Sequence, residues 1–273
     1  MAERKVDLND RCPTGITGFD ELVEGGFPRK RSILLSGTCG SGKTTFAVQF
    51  LYNGIVKYNE PGILISLEQD PSELKSDMLN FGLDLDKAEK EGKLVIIDVS
   101  LARAGVSMED LWNPEPAKDK SKGSVSLMLE EFNMDGILET VITKAKKIGA
   151  KRVVLDSLPA LDFLFTKEGN EAKIKQTIRQ LLLSVNSKLK AAGLTTLMIT
   201  ELPEEGETSM HGIESYVTDG AINLYNTAMG MQSGMTLIIK KMRGTEHSRN
   251  VHPIVFKRDK GIEVLKPPEK VDL

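Results

Sequence analysis

The sequence predicts an α/β fold with a mostly parallel central sheet, helices on both of its faces and antiparallel strands near the C-terminus. Short apolar runs alternate with helical patterns between residues 32 and 200, which is typical of parallel βαβ units. Beyond residue 220, short strand-like runs follow one another without helices between them, and this pattern indicates antiparallel pairing. No internal repeat and no second core are visible, so residues 1–273 are predicted to form one domain.

The strands expected at the centre of the sheet are short apolar runs, as buried parallel strands require. They cover residues 32–36, 62–67, 94–97, 153–155 and 195–200. The C-terminal strands are predicted over residues 220–226, 234–242, 252–257 and 261–265. Residues 103–123 are rich in charge, proline and glycine, and we expect a mobile surface excursion there.

Four helices are predicted between the strands, and sequence signals mark several of their ends. They cover residues 43–58, 71–81, 135–147 and 168–192. Asp70 is the expected N-cap of the second helix because Pro71 follows it at the first helical position. Gly82 and Gly193 are expected to end the second and fourth helices. The fourth helix has the clearest apolar stripe, formed by Ile174, Ile178, Leu181, Leu182, Val185 and Leu189.

Composition limits the class of protein. Of the 273 residues, 40% are hydrophobic and 27% charged, which excludes a disordered or fibrous protein. A net charge of −3 argues against a global attraction to DNA or to an anionic membrane. Two cysteines are too few for a secreted disulfide framework. Neither a leader-like apolar segment nor a run of roughly 18 apolar residues is visible, so a cytoplasmic location without membrane contact is expected.

One glycine-rich segment carries the strongest functional signal. Residues 37–44 fit the pattern G-x-x-x-x-G-K-[ST] and lie directly between a predicted strand and a predicted helix. Backbone N–H groups of this segment, called the phosphate loop below, converge on phosphates, and the helix N-terminus adds partial positive charge. The loop residues expected to bind in this way are Gly40, Ser41 and Gly42. Lys43 is expected to reach the β- and γ-phosphates and the Thr44 hydroxyl to bind Mg²⁺, so a nucleoside triphosphate is the predicted ligand.

Two acids follow predicted strands at the edge where the phosphate loop lies. Asp156 ends the apolar run from residue 152 and is predicted to be the second magnesium residue. Glu68 follows the strand over 62–67 and is the candidate general base for water. Simpler interpretations remain open for both side chains. Asp156 can cap a helix at a strand-to-helix turn, and Glu68 can be a solvated acid at a helix start.

A series of further motifs in register points to one family. They comprise residues 13–22, Gly25-Gly26-Phe27-Pro28, residues 36–55, Glu60-Pro61-Gly62, Glu91-Gly92-Lys93-Leu94, Asp156-Ser157 and residues 241–247. With these motifs the chain resembles, over about residues 8–266, the KaiC family of RecA-type ATPases. The resemblance is strongest to the ATP-hydrolysing first half of the clock ATPase. It implies a RecA-like P-loop fold and an ATPase that uses ATP and Mg²⁺.

The resemblance also implies a homo-oligomer, usually a hexameric ring, with ATP between subunits. Lys43, Thr44 and Thr45 are then expected to act from one subunit. The neighbouring subunit is expected to bring Lys241 and Arg243 to the γ-phosphate. Further residues of the binding site implied by the resemblance are Met242, Thr245 and His247 near the base and ribose, with Arg258 and Asp259 behind them. Taken without the resemblance, residues 240–243 read as a basic strand end on a solvated face.

The chain departs from the family pattern in two places. Paired acids are common in the family where this chain has Glu68 followed by Gln69, so the role of the second acid is not preserved. In the kinase half of the clock protein, neighbouring Ser and Thr precede a Thr-Asp dipeptide. Here Ser215 occupies a comparable position but Tyr216 replaces the threonine, which argues against autokinase activity.

Three functional hypotheses remain open from the sequence. The main hypothesis is a regulatory ring ATPase whose turnover remodels an unidentified protein partner. The second is an ATP-gated regulator of DNA recombination resembling archaeal RadA paralogues. The acidic composition and the three glutamates in the loop over 203–215 argue against nucleic acid as a partner. The third is an ATP switch without useful turnover that binds a partner through residues 103–123.

Overall fold

A computed structural model describes residues 11–99, 125–126, 134–160, 171–202, 214–229 and 232–266. The described strands are β1 Arg11–Cys12, β2 Phe27–Pro28, β3 Ser32–Gly37, β4 Gly62–Ser66, β5 Leu94–Asp98, β6 Val125–Ser126, β7 Arg152–Asp156, β8 Thr195–Glu201, β9 Gly220–Met229, β10 Gln232–Met242, β11 Val251–Lys257 and β12 Gly261–Val264. The helices are α1 Lys43–Tyr58, α2 Pro71–Leu79, α3 Leu85–Lys90, α4 Met134–Ile148, α5 Glu171–Ala191 and α6 Glu214–Val217. A short 3-10 helix covers Asp20–Val23.

Ten of these strands form one sheet in the order β12-β11-β10-β9-β3-β8-β7-β4-β5-β6. The strands from β9 to β6 in this order pair in parallel. The pairs β9–β10, β10–β11 and β11–β12 are antiparallel. The chain therefore reverses once between β9 and β10 and twice more before its last strand. We call the edge where β3, β4 and β7 end the carboxyl edge, and the edge where they begin the amino edge.

Both faces of the sheet are covered by helices. On one face, Leu35 and the strand residues that point the same way pack against α1, α2 and α3. Phe46 and Phe50 of α1 are fully buried there. Leu34 and its equivalents face α4 and α5 on the other side, where Leu182 is fully buried. Burial from both faces explains why the central strands are continuous apolar runs rather than alternating ones. Each fully buried leucine or phenylalanine contributes roughly 1.5–3 kcal/mol.

Helix ends follow the predicted signals. The Asp70 carboxylate accepts a hydrogen bond from the Ser72 N–H at 2.7 Å, so Asp70 caps α2 as expected. Gly82 and Gly193 have φ of +75° and +79° and lie three residues beyond the end of α2 and two beyond the end of α5. No helix in the described part of the chain is long and apolar enough to span a membrane.

The predicted fold class is confirmed, with small shifts at the ends of elements. The sequence analysis missed α3, α6 and the strands β1, β2 and β6. Each of them has six residues or fewer, too short for a periodic pattern to show. The predicted excursion over 103–123 and most of the loop over 203–215 lie outside the described residues. The single-domain organisation stays a prediction.

Candidate nucleotide-binding site

The phosphate loop joins β3 to α1 at the carboxyl edge. Gly40 and Gly42 have φ of +70° and +87°, a backbone conformation that other residues rarely adopt. A Cβ on Gly42 would lie 2.3 Å from the Phe256 ring of β11, so a side chain has no room there. The Lys43 ammonium donates hydrogen bonds to the carbonyls of Gly37 at 2.9 Å and Thr38 at 3.0 Å. The loop is therefore held in a closed turn by its own lysine.

Strand β9 fixes the loop from the other side. The Thr38 N–H donates to the Leu224 carbonyl at 3.3 Å, and the Thr38 hydroxyl accepts from the Asn226 N–H at 3.1 Å. Ser41 is fully buried, and its hydroxyl has no hydrogen-bond partner within the portion of the chain that the structure describes. The backbone of the loop is thus fixed by hydrogen bonds, whereas the Ser41 hydroxyl still has its hydrogen-bonding capacity.

Asp156 ends β7 beside the first turn of α1. Its pKa is raised from 3.8 to about 6, chiefly by desolvation. The nearby Glu68 carboxylate adds to the rise, whereas a hydrogen bond from Thr44 and the Lys43 charge oppose it. These contacts place all four side chains in one cluster at the carboxyl edge. The Thr44 hydroxyl and the two carboxylates form an all-oxygen donor set, which is the set that Mg²⁺ prefers. The residues therefore fit a bound magnesium ion.

Glu68 and Gln69 point to different neighbours. The Ser157 hydroxyl donates a hydrogen bond to the Glu68 carboxylate, which is otherwise exposed at the carboxyl edge. The Gln69 amide instead donates to Asp77 of α2 at 2.9 Å. Glu68 is thus the acid that shares the cluster with Asp156, whereas Gln69 is engaged by the helix beside it.

Lys241 and Arg243 lie at the opposite edge of the sheet from their own phosphate loop. Met242 pairs with Gly220, which pairs with Ile33 near the start of β3. The phosphate loop follows Gly37, four residues further along β3, which corresponds to about 13 Å. The structure therefore does not bring these two cations to the phosphate loop of the same chain.

Both cations have partners within their own chain. The Lys241 ammonium donates to the carbonyls of Ser215 at 2.8 Å and Thr218 at 2.7 Å. Burial and the Arg243 charge lower the pKa of Lys241, and Asp219 opposes this effect. Arg243 lies 3.8 Å from the Asp219 carboxylate. The Arg243 guanidinium also donates to a carbonyl of α6, that of Tyr216 at 3.4 Å, but its side chain is exposed and its contacts are longer than those of Lys241.

The remaining predicted residues fall at both edges. At the amino edge, Met242 is buried in the core of its own chain, and the Thr245 hydroxyl accepts a hydrogen bond from Arg11 at 2.7 Å. His247 Nδ1 lies 2.9 Å from the Ser248 carbonyl in the same segment. The Met242 side chain is therefore not free to contact a nucleotide in this conformation.

Arg258 and Asp259 occupy the turn between β11 and β12, at the carboxyl edge. The Gln49 amide of α1 donates to the Lys260 and Ile262 carbonyls, both at 3.1 Å, and thereby ties this turn to the helix that follows the phosphate loop. The expectation that Arg258 and Asp259 lie behind the segment 241–247 is wrong. Strand β11 runs from the amino edge to the carboxyl edge and carries the turn past the phosphate loop of its own chain.

Sequence reasoning missed several residues that shape the site. Phe256 packs over Gly42, and the Asn226 N–H bonds to Thr38 of the loop. Gln49 ties the turn between β11 and β12 to α1, and Ser157 holds Glu68. Ser157 and Gln49 had a signal, because both fall within motifs quoted above. The others come from elements far apart in the chain, and no local pattern identifies them.

A family model described as "ATPase: KaiC" matches residues 12–269. The chain belongs to the KaiC family of ATPases. Circadian clock oscillator protein KaiC from Parathermosynechococcus lividus is 35% identical over 253 residues, which are 92% of this chain and 42% of the relative. KaiC from Synechococcus elongatus is 34% identical over 92% of this chain and 43% of the relative. The chain thus spans less than half the length of these KaiC relatives.

A solved structure matches at nearly full length. A KaiC-like protein from the hyperthermophilic archaeon Pyrococcus horikoshii is 36% identical with a TM-score of 0.74, and the match covers 94% of this chain and 99% of that one. The chain therefore has the architecture of the KaiC-like ATPases, and the expected family and fold are confirmed.

Proposed function

We propose that this KaiC-family chain binds and hydrolyses Mg·ATP in sites that a second copy of the same chain completes. One observation carries the proposal. The phosphate loop, Asp156 and Glu68 cluster at the carboxyl edge, while Lys241 and Arg243 project from the amino edge. A site that needs both sets can form only between two chains.

The first step is capture of the triphosphate by the phosphate loop. Its N–H groups and the start of α1 bind the phosphate oxygens. Lys43 exchanges its bonds to the Gly37 and Thr38 carbonyls for bonds to the β- and γ-phosphates. Thr44 and Asp156 would hold Mg²⁺, which when bound neutralises charge on the phosphate oxygens. Binding a cation beside Asp156 also favours its ionised form.

Glu68 is the residue proposed to activate water. Its carboxylate lies in the cluster with Asp156 and is held by the Ser157 hydroxyl, which restricts its orientation. It accepts a proton from the water that attacks the γ-phosphorus, while the bond from that phosphorus to the ADP oxygen breaks. Gln69 cannot substitute for it, because an amide does not accept that proton and because its side chain is bonded to Asp77.

Arg243 of a neighbouring chain is proposed to stabilise the charge on the transferred phosphoryl group. An arginine supplied in trans contributes on the order of 10³–10⁵ in turnover rate in phosphoryl-transfer enzymes. Lys241 is held by two carbonyls at the same edge, so we expect it to fix the segment and add positive charge. Thr245 and His247 follow on this segment. Arg258 and Asp259 are proposed to act from the chain that owns the phosphate loop, because their turn lies at the same edge as that loop.

The proposed assembly is a hexameric ring in the cytoplasm with a regulatory role toward a protein partner. The resemblance to KaiC ATPases supports these finer points, and the two unlike edges support the oligomer. Light scattering with and without Mg·ATP measures the assembly directly. A mass of about six subunits is expected with nucleotide, and a monomer under all conditions contradicts the assembly.

The decisive experiment measures ATP hydrolysis per subunit against protein concentration. Specific activity should rise and then saturate, because each site needs a neighbour. Arg243→Ala should lower the saturated rate at least about a hundredfold. Lys240→Ala is the matched control, since it removes an exposed cation of the same strand and should leave the rate unchanged. Activity that is independent of concentration, or normal turnover by Arg243→Ala, contradicts the trans assignment.

An ATP switch without useful turnover is the second candidate. The observation that favours it is the engagement of Gln69 by Asp77, which leaves Glu68 as the one acid from this pair in the cluster. ATP binding with no hydrolysis at any concentration identifies the switch. Turnover gained by Gln69→Glu would then locate the cause at this position.

A further inference from the structure

Asp219 is a buried carboxylate at the amino edge on which two arginines converge. Its side chain is 4% exposed and directly precedes β9. Arg31 lies 3.0 Å from its Oδ1 atom, and Arg243 lies 3.8 Å from the same atom. The arginine side chains are 44% and 55% exposed, so both reach from the carboxylate toward the surface.

The backbone of Asp219 is fixed between two strands. Its N–H donates to the Ser32 carbonyl at 2.8 Å, at the start of β3. Its own carbonyl accepts from the Arg243 N–H at 2.9 Å, at the end of β10. Asp219 therefore links the strand that leads into the phosphate loop with the segment that carries Arg243. A carboxylate held in this way keeps its charge at a defined place.

We infer that Asp219 is the positioning residue for Arg243, holding it where it meets the nucleotide of the neighbouring chain. The inference rests on the function proposed above. Arg31 is the close partner of the carboxylate, and Arg243 is the more distant one. Arg243 can therefore turn toward an anionic phosphate while Arg31 keeps the buried charge of Asp219 paired, as buried charges require.

The negative charge of Asp219 also offsets the repulsion among the cations that surround it. Arg31, Arg243 and Lys241 lie around Asp219, and like charges at such distances repel. Without the carboxylate, Arg243 loses its ionic contact, and of its described side-chain contacts the 3.4 Å hydrogen bond to the Tyr216 carbonyl remains. Repulsion by the other two cations is then expected to displace its guanidinium. A displacement of about 1 Å of a group that acts on the transition state can lower a rate about a hundredfold.

Asp219→Asn tests the inference because it removes the charge and keeps the shape of the side chain. We expect kcat to fall at least tenfold, with KM for ATP changed less than about threefold, because the phosphate loop of the same chain lies at the other edge. Lys30→Gln is the matched control. It removes an exposed cation next to Arg31 in sequence and should leave both constants unchanged.

Mixed assemblies separate positioning of Arg243 from a general structural role. Co-expressed with Glu68→Gln, an Asp219→Asn chain has an intact Glu68 and can receive Arg243 from its Glu68→Gln neighbour. The mixture should regain activity that neither variant has alone, as should a mixture of Arg243→Ala with Glu68→Gln. Wild-type kcat in Asp219→Asn overturns the inference, as does a loss that is not rescued while that of Arg243→Ala is. Full activity of Arg243→Ala instead overturns the proposed function itself.

Arg31→Gln provides a second variant if Asp219→Asn does not fold. Arg31 is partly exposed, so its replacement should be tolerated. Asp219 then has Arg243 as its remaining arginine partner in the described contacts and holds it back from the neighbouring nucleotide. We expect kcat to fall about two- to fivefold, with rescue in the same mixed assembly. Wild-type kcat in folded Arg31→Gln contradicts the inference.

Discussion

The two edges of the central sheet differ in how their charged side chains are paired. At the amino edge, the fully buried Arg152 is ion-paired with Glu60 at 2.6 Å, and Arg29 reaches the same carboxylate at 2.7 Å. At the carboxyl edge, the half-buried Asp156 lies close to a second carboxylate, that of the exposed Glu68, and the nearby Lys43 bonds to backbone carbonyls instead. One edge pairs its charges, and the other concentrates acids.

The difference separates structural from functional charge. Removing one partner of a buried ion pair is strongly destabilising, because it leaves an uncompensated buried charge. A buried carboxylate near another one carries a free-energy penalty that a stable fold alone does not need. We therefore expect substitutions at the carboxyl edge to lower activity without lowering stability, and substitutions in the amino edge network of Arg152 to lower stability.

The largest expected effect is on turnover at Glu68. Glu68→Gln should lower kcat at least about a hundredfold, because the amide does not accept a proton from water. ATP binding, measured by titration with a fluorescent analogue, should stay within about threefold of wild type. Gln69→Ala is the matched control, since its side chain is bonded to Asp77 and its removal should leave kcat nearly unchanged. Normal turnover in Glu68→Gln would remove the base assignment.

Asp156→Asn should stabilise the protein in the absence of Mg²⁺ and nucleotide. The pKa of Asp156 rises from 3.8 to about 6 on folding, so the folded state binds the proton more tightly than the unfolded state. Stability of the wild type therefore falls as pH rises from about 4 to about 6, by about 3 kcal/mol in total.

The variant lacks that titration and is expected to be more stable than wild type by about 3 kcal/mol at pH 7, with little difference at pH 4. Urea unfolding in EDTA at both pH values measures this difference. Equal stabilities at pH 7 would show that the carboxylate is not penalised and would weaken the contrast between the edges.

Gly54→Ala should damage the amino edge network. A Cβ at this position of α1 would lie 2.4 Å from the Arg152 Nε atom. Alanine favours a helix over glycine by about 1 kcal/mol, but displacing a buried, paired arginine costs more, so a net loss of about 1–3 kcal/mol is expected. Gly234→Ala, where a Cβ meets nothing within 4 Å, is the control in the same thermal unfolding assay.

The smallest effect concerns the two cysteines, one at each edge. Cys39 is exposed in the phosphate loop, whereas Cys12 is buried and burial raises its pKa to about 11. Iodoacetamide at pH 8 should modify Cys39 and spare Cys12, because the thiolate is the reactive species. Peptide mass spectrometry measures both, and bound ATP should slow the reaction of Cys39. Modification of Cys12 in the folded protein would contradict its burial.

The parts of the site that were predictable from sequence are local. Gly42 and Lys43 are identified by spacing within eight residues, and Asp156 by the strand that it ends. The N-cap at Asp70 was equally readable, because the cap and the proline at the first helical position are neighbours. In each case the physical requirement, such as positive φ or a helix start, acts between adjacent residues.

The remaining contacts depend on the strand order. Phe256 contacts Gly42 across more than 200 residues of sequence, and Asp219 meets Arg31 over a separation of 188. The bond between Lys241 and the carbonyls around α6 required a helix of four residues, which no periodicity predicts. The placement of Arg258 at the same edge as its own phosphate loop follows from the direction of β11 and could not be inferred without it.

The reversal between β9 and β10 has a consequence for symmetry. It carries Arg243 to the edge opposite the phosphate loop. Under the function proposed above, each chain then has a donor end, which carries Arg243, and an acceptor end, which carries the phosphate loop. A two-fold axis that brings like ends together completes no site. Contacts between unlike ends are heterologous and repeat from chain to chain in one direction. If the rotation that relates successive chains closes into a ring, every phosphate loop faces an Arg243 of a neighbour. In an open helical assembly, the phosphate loop of one terminal chain has no such neighbour.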